Sequence, residues 1–228
     1  MSPALEISVV VATYNRAAII AQTLRHLAQQ TLDAATFEVI VVDDGSSDNT
    51  AAVVKGLRES LPYRLTYLRH PNRGPGYTQN QGIRAAQAPL VVLIADDIFL
   101  TPKALEAYRD AHRRHPELQA VFLGKTMQSP ALAETSQFMQ KFDAFRFKFL
   151  ENCTELPYYY FWACNISCKR DFLVHHGLFR EQIGRAGPAA NEDVELGFRL
   201  SRQGMRLYYL KEALGYHHHM ETDRKSVV

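Results

Sequence analysis

The first half of the chain alternates short apolar runs with stretches of helical periodicity. Residues 5–12 and 37–42 are nearly continuous β-branched and apolar runs, as in strands that are buried on both faces. Between them Ile20, Leu24 and Leu27 recur at helical spacing. Because strand and helix patterns keep alternating to about residue 125, we predict an α/β fold with a mostly parallel central sheet flanked by helices.

Further elements follow from the same pattern and from capping residues. They are a helix over 48–59 capped by Ser46 or Ser47, a strand over 64–69, a helix over 77–87, a strand over 90–95 and a helix capped by Thr101.

The pattern of apolar residues changes in the second half of the chain. Four phenylalanines, from Phe138 to Phe149, fall at spacings of four, three and four, which predicts a helix with one aromatic stripe. This stripe packs in the core or between subunits, or it contacts an acceptor or a membrane surface. One or two strands over 158–168 are expected to cover the cleft. A helix from about Asn191 to 201–204 and a late strand over 205–210 complete the prediction.

The length and charge of the chain limit its number of domains and its possible partners. The 228 residues suit one domain, with a nucleotide-binding half (1–125) and a smaller acceptor-side half (126–228). A net charge of +2 without a dense basic stripe argues against a nucleic-acid partner. No stretch approaches the ~20 apolar residues of a membrane span. We therefore expect a cytoplasmic protein, with peripheral contact at the inner membrane surface as an open option.

Acidic residues stand where three predicted elements begin or end. Asp43–Asp44 and Asp96–Asp97 each follow an apolar strand, and Asn191–Asp193 opens a helix. Ligands of open α/β sheets bind at the carboxyl ends of the strands, so these side chains are expected around one crevice. Carboxylates repel a polyanionic substrate unless a divalent cation lies between them. The pattern therefore indicates metal-assisted chemistry on a nucleotide diphosphate, although turns and caps also use such residues.

A hard cation with oxygen ligands favours magnesium or manganese over zinc. Asp97 is the first expected ligand, and Asp96 is placed nearer the ribose. His217, in the run of three histidines that follows a late strand, is a candidate to ligate the metal or touch the diphosphate. A structural role for this histidine is equally open.

Candidate residues for catalysis and recognition lie on both sides of the crevice. Asp193 is the preferred general base and Glu192 the weaker candidate, with helix capping and surface pairing as the competing roles. Tyr14 can stack on a base, and Asp44 can accept a hydrogen bond from one. Trp162 is expected either to stack on a donor or acceptor sugar or to pack against other side chains of the protein.

Six segments occur in order along nearly the whole chain: VVVATYNR, VVDDGSSDNT, HPNRGPGYTQNQGI, VVLIADDIFLTP, NEDVELGFRL and GYHHH. Together they resemble the motifs of family 2 glycosyltransferases with the GT-A fold. This resemblance implies a sugar nucleotide donor, usually a uridine diphosphate sugar, with a divalent metal and inverting transfer to an acceptor hydroxyl. It also implies that Asp44 contacts the base, Asp97 binds the metal and Asp193 deprotonates the acceptor.

The expected nucleotide-binding residues are Ala12, Tyr14, Arg16, Asp44, Gly74, Gln79 and Asp96. Two positions depart from the family pattern. Ala95 stands where the metal motif often begins with Asp, and Gln79 precedes Asn80 where many relatives have Arg.

We predict an inverting, metal-dependent glycosyltransferase acting on a saccharide, lipid-linked or protein acceptor. One alternative is a catalytically silent domain that binds a nucleotide or a partner protein. The other is a sugar nucleotidyltransferase, which would favour a basic, glycine-rich loop after the first strand. The segment ATYNR lacks such a loop.

Overall fold

The fold was analysed in a computed structural model, which describes residues 3–130, 147–150, 153–183 and 191–218. The described strands are β1 (Ile7–Thr13), β2 (Phe37–Asp43), β3 (Arg64–Arg69), β4 (Leu90–Ala95), β5 (Ile98–Leu100), β6 (Ala120–Gln128), β7 (Glu155–Leu156), β8 (Asn165–Lys169) and β9 (Arg206–His217). The described helices are α1 (Ala17–Leu27), α2 (Thr50–Leu57), α3 (Pro75–Ala85), α4 (Ala104–Arg114), α5 (Arg170–His176) and α6 (Glu192–Ser201).

The strands form one sheet in the order β3-β2-β1-β4-β8-β6-β9-β5, and β7 pairs with β9. Strands β3, β2, β1 and β4 are parallel. Strand β8 runs antiparallel to both β4 and β6, while β9 is parallel to β6. The chain moves outward from β1 to β3 and then returns to the other side of β1 as β4. This reversal creates the crevice at which such sheets bind ligands.

The sheet has a hydrophobic core on each face. One core contains Ile20 and Leu24 of α1, and the other contains Ile83 of α3 and Leu196 of α6. Helix α3 packs very closely on β1, because a Cβ atom on Gly82 would overlap the Val10 side chain. This contact fixes α3, and the loop before it, beside the end of β1.

The predicted alternation of strands and helices is confirmed, and so is the helix that begins after Asn191. Strands from the later part of the chain join the same sheet as β1 to β4. The boundary between a nucleotide-binding and an acceptor-side half stays a prediction.

The predicted helix caps were wrong. Asn49 precedes α2, and the Ser46 hydroxyl instead accepts a hydrogen bond from the Asn15 N–H at 2.8 Å. Helix α4 begins at Ala104, and the Thr101 hydroxyl donates to the Leu214 carbonyl at 3.0 Å. The Ser46 hydroxyl thus joins two turns, and the Thr101 hydroxyl joins the segment before α4 to strand β9, so neither caps a helix.

The segment 158–168 also differs from its prediction. It contains a 3₁₀ turn (Tyr158–Tyr160) and β8, and β8 lies inside the sheet between β4 and β6 instead of covering the cleft. Residues Asn165 to Cys168 are buried, because β8 has a strand on each side and helices on both faces. The predicted aromatic helix lies mostly outside the described residues; within them, Phe147–Phe149 forms a 3₁₀ turn.

None of the helices within the described residues combines the length and the apolar character needed to cross a bilayer.

Candidate active site

A cleft of about 430 Å³ opens at the carboxyl ends of β1, β2 and β4. It is lined by Ala12, Thr13, Tyr14, Arg16, Asp44, Pro75, Thr78, Gln79, Ala95 and Asp96. Six of the seven predicted nucleotide-binding residues are in this lining. The seventh, Gly74, directly precedes the lining residue Pro75 and donates its N–H to Asp44 at 3.0 Å. The residues predicted from separate motifs therefore lie together.

Two turns are joined at the mouth of this cleft. Asn15 adopts a left-handed backbone conformation with a φ of 54°. Its side-chain oxygen accepts a hydrogen bond from the Ser47 N–H at 2.7 Å, so the turn after β1 is tied to the turn after β2. This geometry leaves Tyr14 48% exposed beside the cleft, where its ring is available to a flat ligand.

Asp43 and Asp44 have different roles, although they are neighbours. The carboxylate of Asp43 is fully buried and accepts from the Ser46 N–H at 2.7 Å and the Tyr67 hydroxyl at 2.5 Å. Asp44 instead lines the cleft. Neighbouring side chains on extended backbone point to opposite sides, which explains why Asp43 faces the interior and Asp44, directly after β2, faces the cleft. Asp43 shapes the turn, and Asp44 is the member of the pair that can meet a ligand.

The carboxylate of Asp44 also organises the loop that leads into α3. It accepts hydrogen bonds from the N–H groups of Arg73 and Gly74, at 2.7 and 3.0 Å. Gly74 has a φ of 86°, a conformation that favours glycine. A carboxylate has lone pairs beyond those used by two N–H donors, so Asp44 keeps the capacity to accept from a base.

Gln79 contributes a buried acceptor to the same cleft. Its side-chain oxygen is buried, and no described residue hydrogen-bonds to it. Such an atom normally has a partner, since an unsatisfied buried polar group is costly. An N–H or O–H of a bound ligand would satisfy it. Although many relatives have arginine here, Gln79 therefore still presents a polar group to a ligand.

Asp96 and Asp97 follow β4 and are nearly fully buried, with exposures of 5% and 6%. Asp96 accepts from the Thr13 hydroxyl at 2.7 Å, and Arg16 Nη1 lies 2.7 Å from one oxygen of each carboxylate. Burial raises the pKa of Asp96. Burial opposes the charged form of Asp97 too, but His217 and Arg16 outweigh it and lower the pKa of Asp97 to about 2.

The two predicted metal ligands are brought together by strand pairing. Ile98 of β5 is the register partner of His217 of β9, and the His218 N–H donates to the Asp97 carbonyl at 2.8 Å. His217 Nε2 therefore lies 3.7 Å from Asp97 Oδ2. An oxygen and a ring nitrogen at this separation fit two positions around one Mn²⁺ or Mg²⁺ ion, with manganese the better match for nitrogen. Within the described residues, no cluster of three metal-ligating side chains was found, so phosphate oxygens and water would supply the other positions.

Asp193 lies in the first turn of α6. One of its oxygens accepts from the Ala163 N–H at 3.4 Å and the other from the Val194 N–H at 2.8 Å. Burial raises the pKa of Asp193. Cys164 connects the two sides: burial, and then the nearby charges of Asp193 and Asp97, raise the pKa of its thiol to about 12. The Cys164 carbonyl also accepts a hydrogen bond from the Ala95 N–H at 3.0 Å, so the segment that contacts Asp193 is joined to the end of β4.

The other acceptor-side candidates lie near Asp193. Glu192 is partly buried at the start of α6. The surface pair predicted for this helix is present in the next turn, where Arg199 donates to Glu195 at 2.9 Å. Trp162 is partly buried and contacts the rings of Tyr160 and Phe147, with centroid distances of 5.1 and 5.7 Å. Trp162 directly precedes Ala163, whose N–H reaches Asp193.

Several residues of the site were missed by the sequence analysis. Thr13 donates a hydrogen bond to Asp96, Thr78 lines the cleft, and the Cys164 carbonyl accepts from the Ala95 N–H at the end of β4. Thr13 had one usable signal, a polar residue at the end of a buried strand beside Tyr14. Cys164 had none, because its position depends on β8 entering the sheet next to β4.

The architecture is that of known glycosyltransferases. The chain superposes on S. aureus TarS 1–349 in complex with UDP-GlcNAc with a TM-score of 0.72 and 23% identity, covering 98% of this chain and 61% of that one. It superposes on the mannosyltransferase PcManGT from Pyrobaculum calidifontis, in complex with GDP-Man and Mn²⁺, with a TM-score of 0.73 and 20% identity, covering 97% and 59%. These likenesses confirm the predicted GT-A fold.

The chain belongs to glycosyltransferase family 2, since the family described as Glycosyl transferase family 2 matches residues 8–175. Validoxylamine A glucosyltransferase of Streptomyces hygroscopicus subsp. jinggangensis (strain 5008) is 28% identical over 233 residues, which cover 92% of this chain and 54% of that protein. The chain spans about half the length of the curated relatives it matches first.

Proposed function

We propose that the protein transfers a sugar from a nucleotide diphosphate sugar, with UDP as the first nucleotide to test, to an acceptor hydroxyl with inversion. The observation that carries this proposal is that residues 163–164 join the two acidic stations: the Ala95 N–H donates to the Cys164 carbonyl at 3.0 Å, and the Ala163 N–H donates to Asp193 at 3.4 Å. A base on one side and a diphosphate site on the other are the two requirements of in-line displacement.

On the donor side, the exposed Tyr14 ring offers a stacking surface for the base, and Asp44 and Gln79 offer acceptors. Asp97 and His217 would hold Mn²⁺ or Mg²⁺, which when bound neutralises charge on the departing diphosphate. A metal between these carboxylates and the phosphates also removes their mutual repulsion. The relatives bound to UDP-GlcNAc and to GDP-Man with Mn²⁺ support a nucleotide sugar as the donor class.

On the acceptor side, Asp193 would take the proton of the acceptor hydroxyl. The acceptor oxygen then bonds to the anomeric carbon from the face opposite the diphosphate, and the bond from that carbon to the diphosphate breaks with its electron pair. Burial makes Asp193 a stronger base by raising its pKa. Glu192 is the second candidate base, and Trp162, which directly precedes the Ala163 that contacts Asp193, would stack on a sugar.

A donor panel tests this proposal. The protein is incubated with UDP- and GDP-linked sugars, with Mn²⁺ or with a chelator, and release of the nucleoside diphosphate is measured. We expect metal-dependent release from one donor, and a product with inverted anomeric configuration by NMR once an acceptor is found. Metal-dependent binding of a nucleotide without any turnover would instead support the silent binding domain.

A further inference from the structure

One arginine lies between Asp97 of the proposed metal site and its neighbour Asp96. Arg16 Nη1 lies 2.7 Å from Asp96 Oδ1 and 2.7 Å from Asp97 Oδ2. Both carboxylates are nearly fully buried. Two carboxylates this close repel each other in a site of low dielectric, and a cation between them offsets the repulsion. In this structure the guanidinium of Arg16 is that cation.

The contact with Asp97 uses the oxygen that the proposed metal would need. Asp97 Oδ2 is the atom nearest His217 Nε2, at 3.7 Å, and it is the same atom that Arg16 contacts at 2.7 Å. A guanidinium and a divalent ion repel each other at such distances. Metal binding to this oxygen therefore competes with Arg16.

The position of Arg16 allows an exchange of partners. Arg16 directly precedes α1, and its carbonyl accepts from the N–H groups of Ile19 and Ile20, so its backbone is fixed. Its side chain is 30% exposed and lines the nucleotide cleft. Asp96 would keep its bond from the Thr13 hydroxyl if the arginine moved away. Arginine also pairs well with phosphate oxygens.

We propose that Arg16 makes metal binding depend on the nucleotide. In the free protein it neutralises the acid pair and holds Asp97 Oδ2. The diphosphate of a bound donor gives the guanidinium another anionic partner, and this frees Asp97 for the metal. This inference rests on the proposed function, because it needs both a diphosphate and a metal at the site. Its signature is a positive coupling between the two ligands.

Titration calorimetry with Mn²⁺, alone and in the presence of saturating UDP or GDP, tests the coupling. For the unaltered protein we expect weak binding of Mn²⁺ alone and much tighter binding with the nucleotide. For Arg16→Gln we expect Mn²⁺ alone to bind on the order of tenfold more tightly, with a correspondingly smaller effect of the nucleotide. Arg16→Lys keeps the charge and should preserve most of the coupling.

Arg25→Gln is the matched control, since it removes one positive charge from an exposed position on the same helix. It should leave Mn²⁺ binding unchanged. Equal Mn²⁺ affinity of the unaltered protein and a folded Arg16→Gln variant, without nucleotide, would overturn the inference but not the proposed function. If Arg16→Gln does not fold, a lack of coupling in the unaltered protein overturns the inference. Failure of every variant to bind Mn²⁺, even with nucleotide, would remove the proposed metal site itself.

Discussion

The carboxylates that follow β4 and the carboxylate in the first turn of α6 are held in different ways. After β4, Arg16 contacts both Asp96 and Asp97. In α6, the described partners of Asp193 are two backbone N–H groups. At Asp97 the charges of His217 and Arg16 outweigh burial and lower the pKa to about 2, whereas burial prevails and raises the pKa at Asp193 and at Asp96. The comparison teaches that burial leaves a carboxylate more basic, and that the carboxylate stays charged at low pH only where opposite charges outweigh burial.

Asp193→Asn is the strongest test of this contrast. If Asp193 is the base, its loss should lower kcat by roughly 10²- to 10⁴-fold and leave the affinity for the nucleotide unchanged. Steady-state kinetics and calorimetry measure the two quantities. Glu192→Gln is the matched control, with a smaller loss expected. A larger loss in Glu192→Gln would move the role of base to that residue.

Asp97→Asn probes the opposite side. A ligand at a concentration of 100 Kd stabilises the folded state by about 2.7 kcal/mol. The Asp97→Asn variant should lose the part of this stabilisation by the nucleotide that depends on Mn²⁺. Thermal unfolding with UDP or GDP, with and without Mn²⁺, detects this loss. Asp171→Asn, at a highly exposed surface position, should keep the full shift. An undiminished metal-dependent shift in Asp97→Asn would contradict its role as a ligand.

Gly197→Ala tests how the acceptor side is supported. A Cβ at Gly197 would lie 2.6 Å from both Phe161 Cβ and the Tyr158 carbonyl oxygen, so α6 must shift away from the aromatic turn. We expect a loss of about 1–3 kcal/mol in unfolding free energy, with nucleotide affinity retained. Gly56→Ala, where a Cβ meets nothing within 4 Å, should instead stabilise its helix. Equal effects of the two substitutions in chemical denaturation would disprove this packing argument.

The smallest expected effect concerns stability and pH. Because the folded-state pKa of Asp193 is raised, its protonated form favours folding below the ordinary Asp pKa, and this contribution is lost as the pH rises through the folded-state pKa. Asp193→Asn should therefore unfold at a higher temperature than the unaltered protein at neutral pH. The difference should shrink as the pH falls. A constant difference across the pH range would argue against a raised pKa.

The nucleotide side was largely predictable because its parts follow one another along the chain. Buried strands end in Tyr14, Asp44 and Asp96, and parallel pairing brings those ends together. The GT-A resemblance supplied Gln79, whereas the position of Asp97 after a buried strand had already made it the first expected metal ligand. The acceptor side was harder to predict, since β8 enters the sheet antiparallel between β4 and β6. That insertion brings the Cys164 carbonyl to the Ala95 N–H and the Ala163 N–H to Asp193, and apolar patterning does not specify strand order.

The pairing of β5 with β9 has a consequence for how the protein is made. Synthesis proceeds from the amino terminus, so every lining residue of the nucleotide cleft, from Ala12 to Asp96, leaves the ribosome well before His217. The cleft can take shape on a growing chain, whereas the Asp97–His217 pair waits for the last described strand. We expect a nascent chain to acquire nucleotide recognition first and metal affinity last, which would keep incomplete chains from engaging a donor productively.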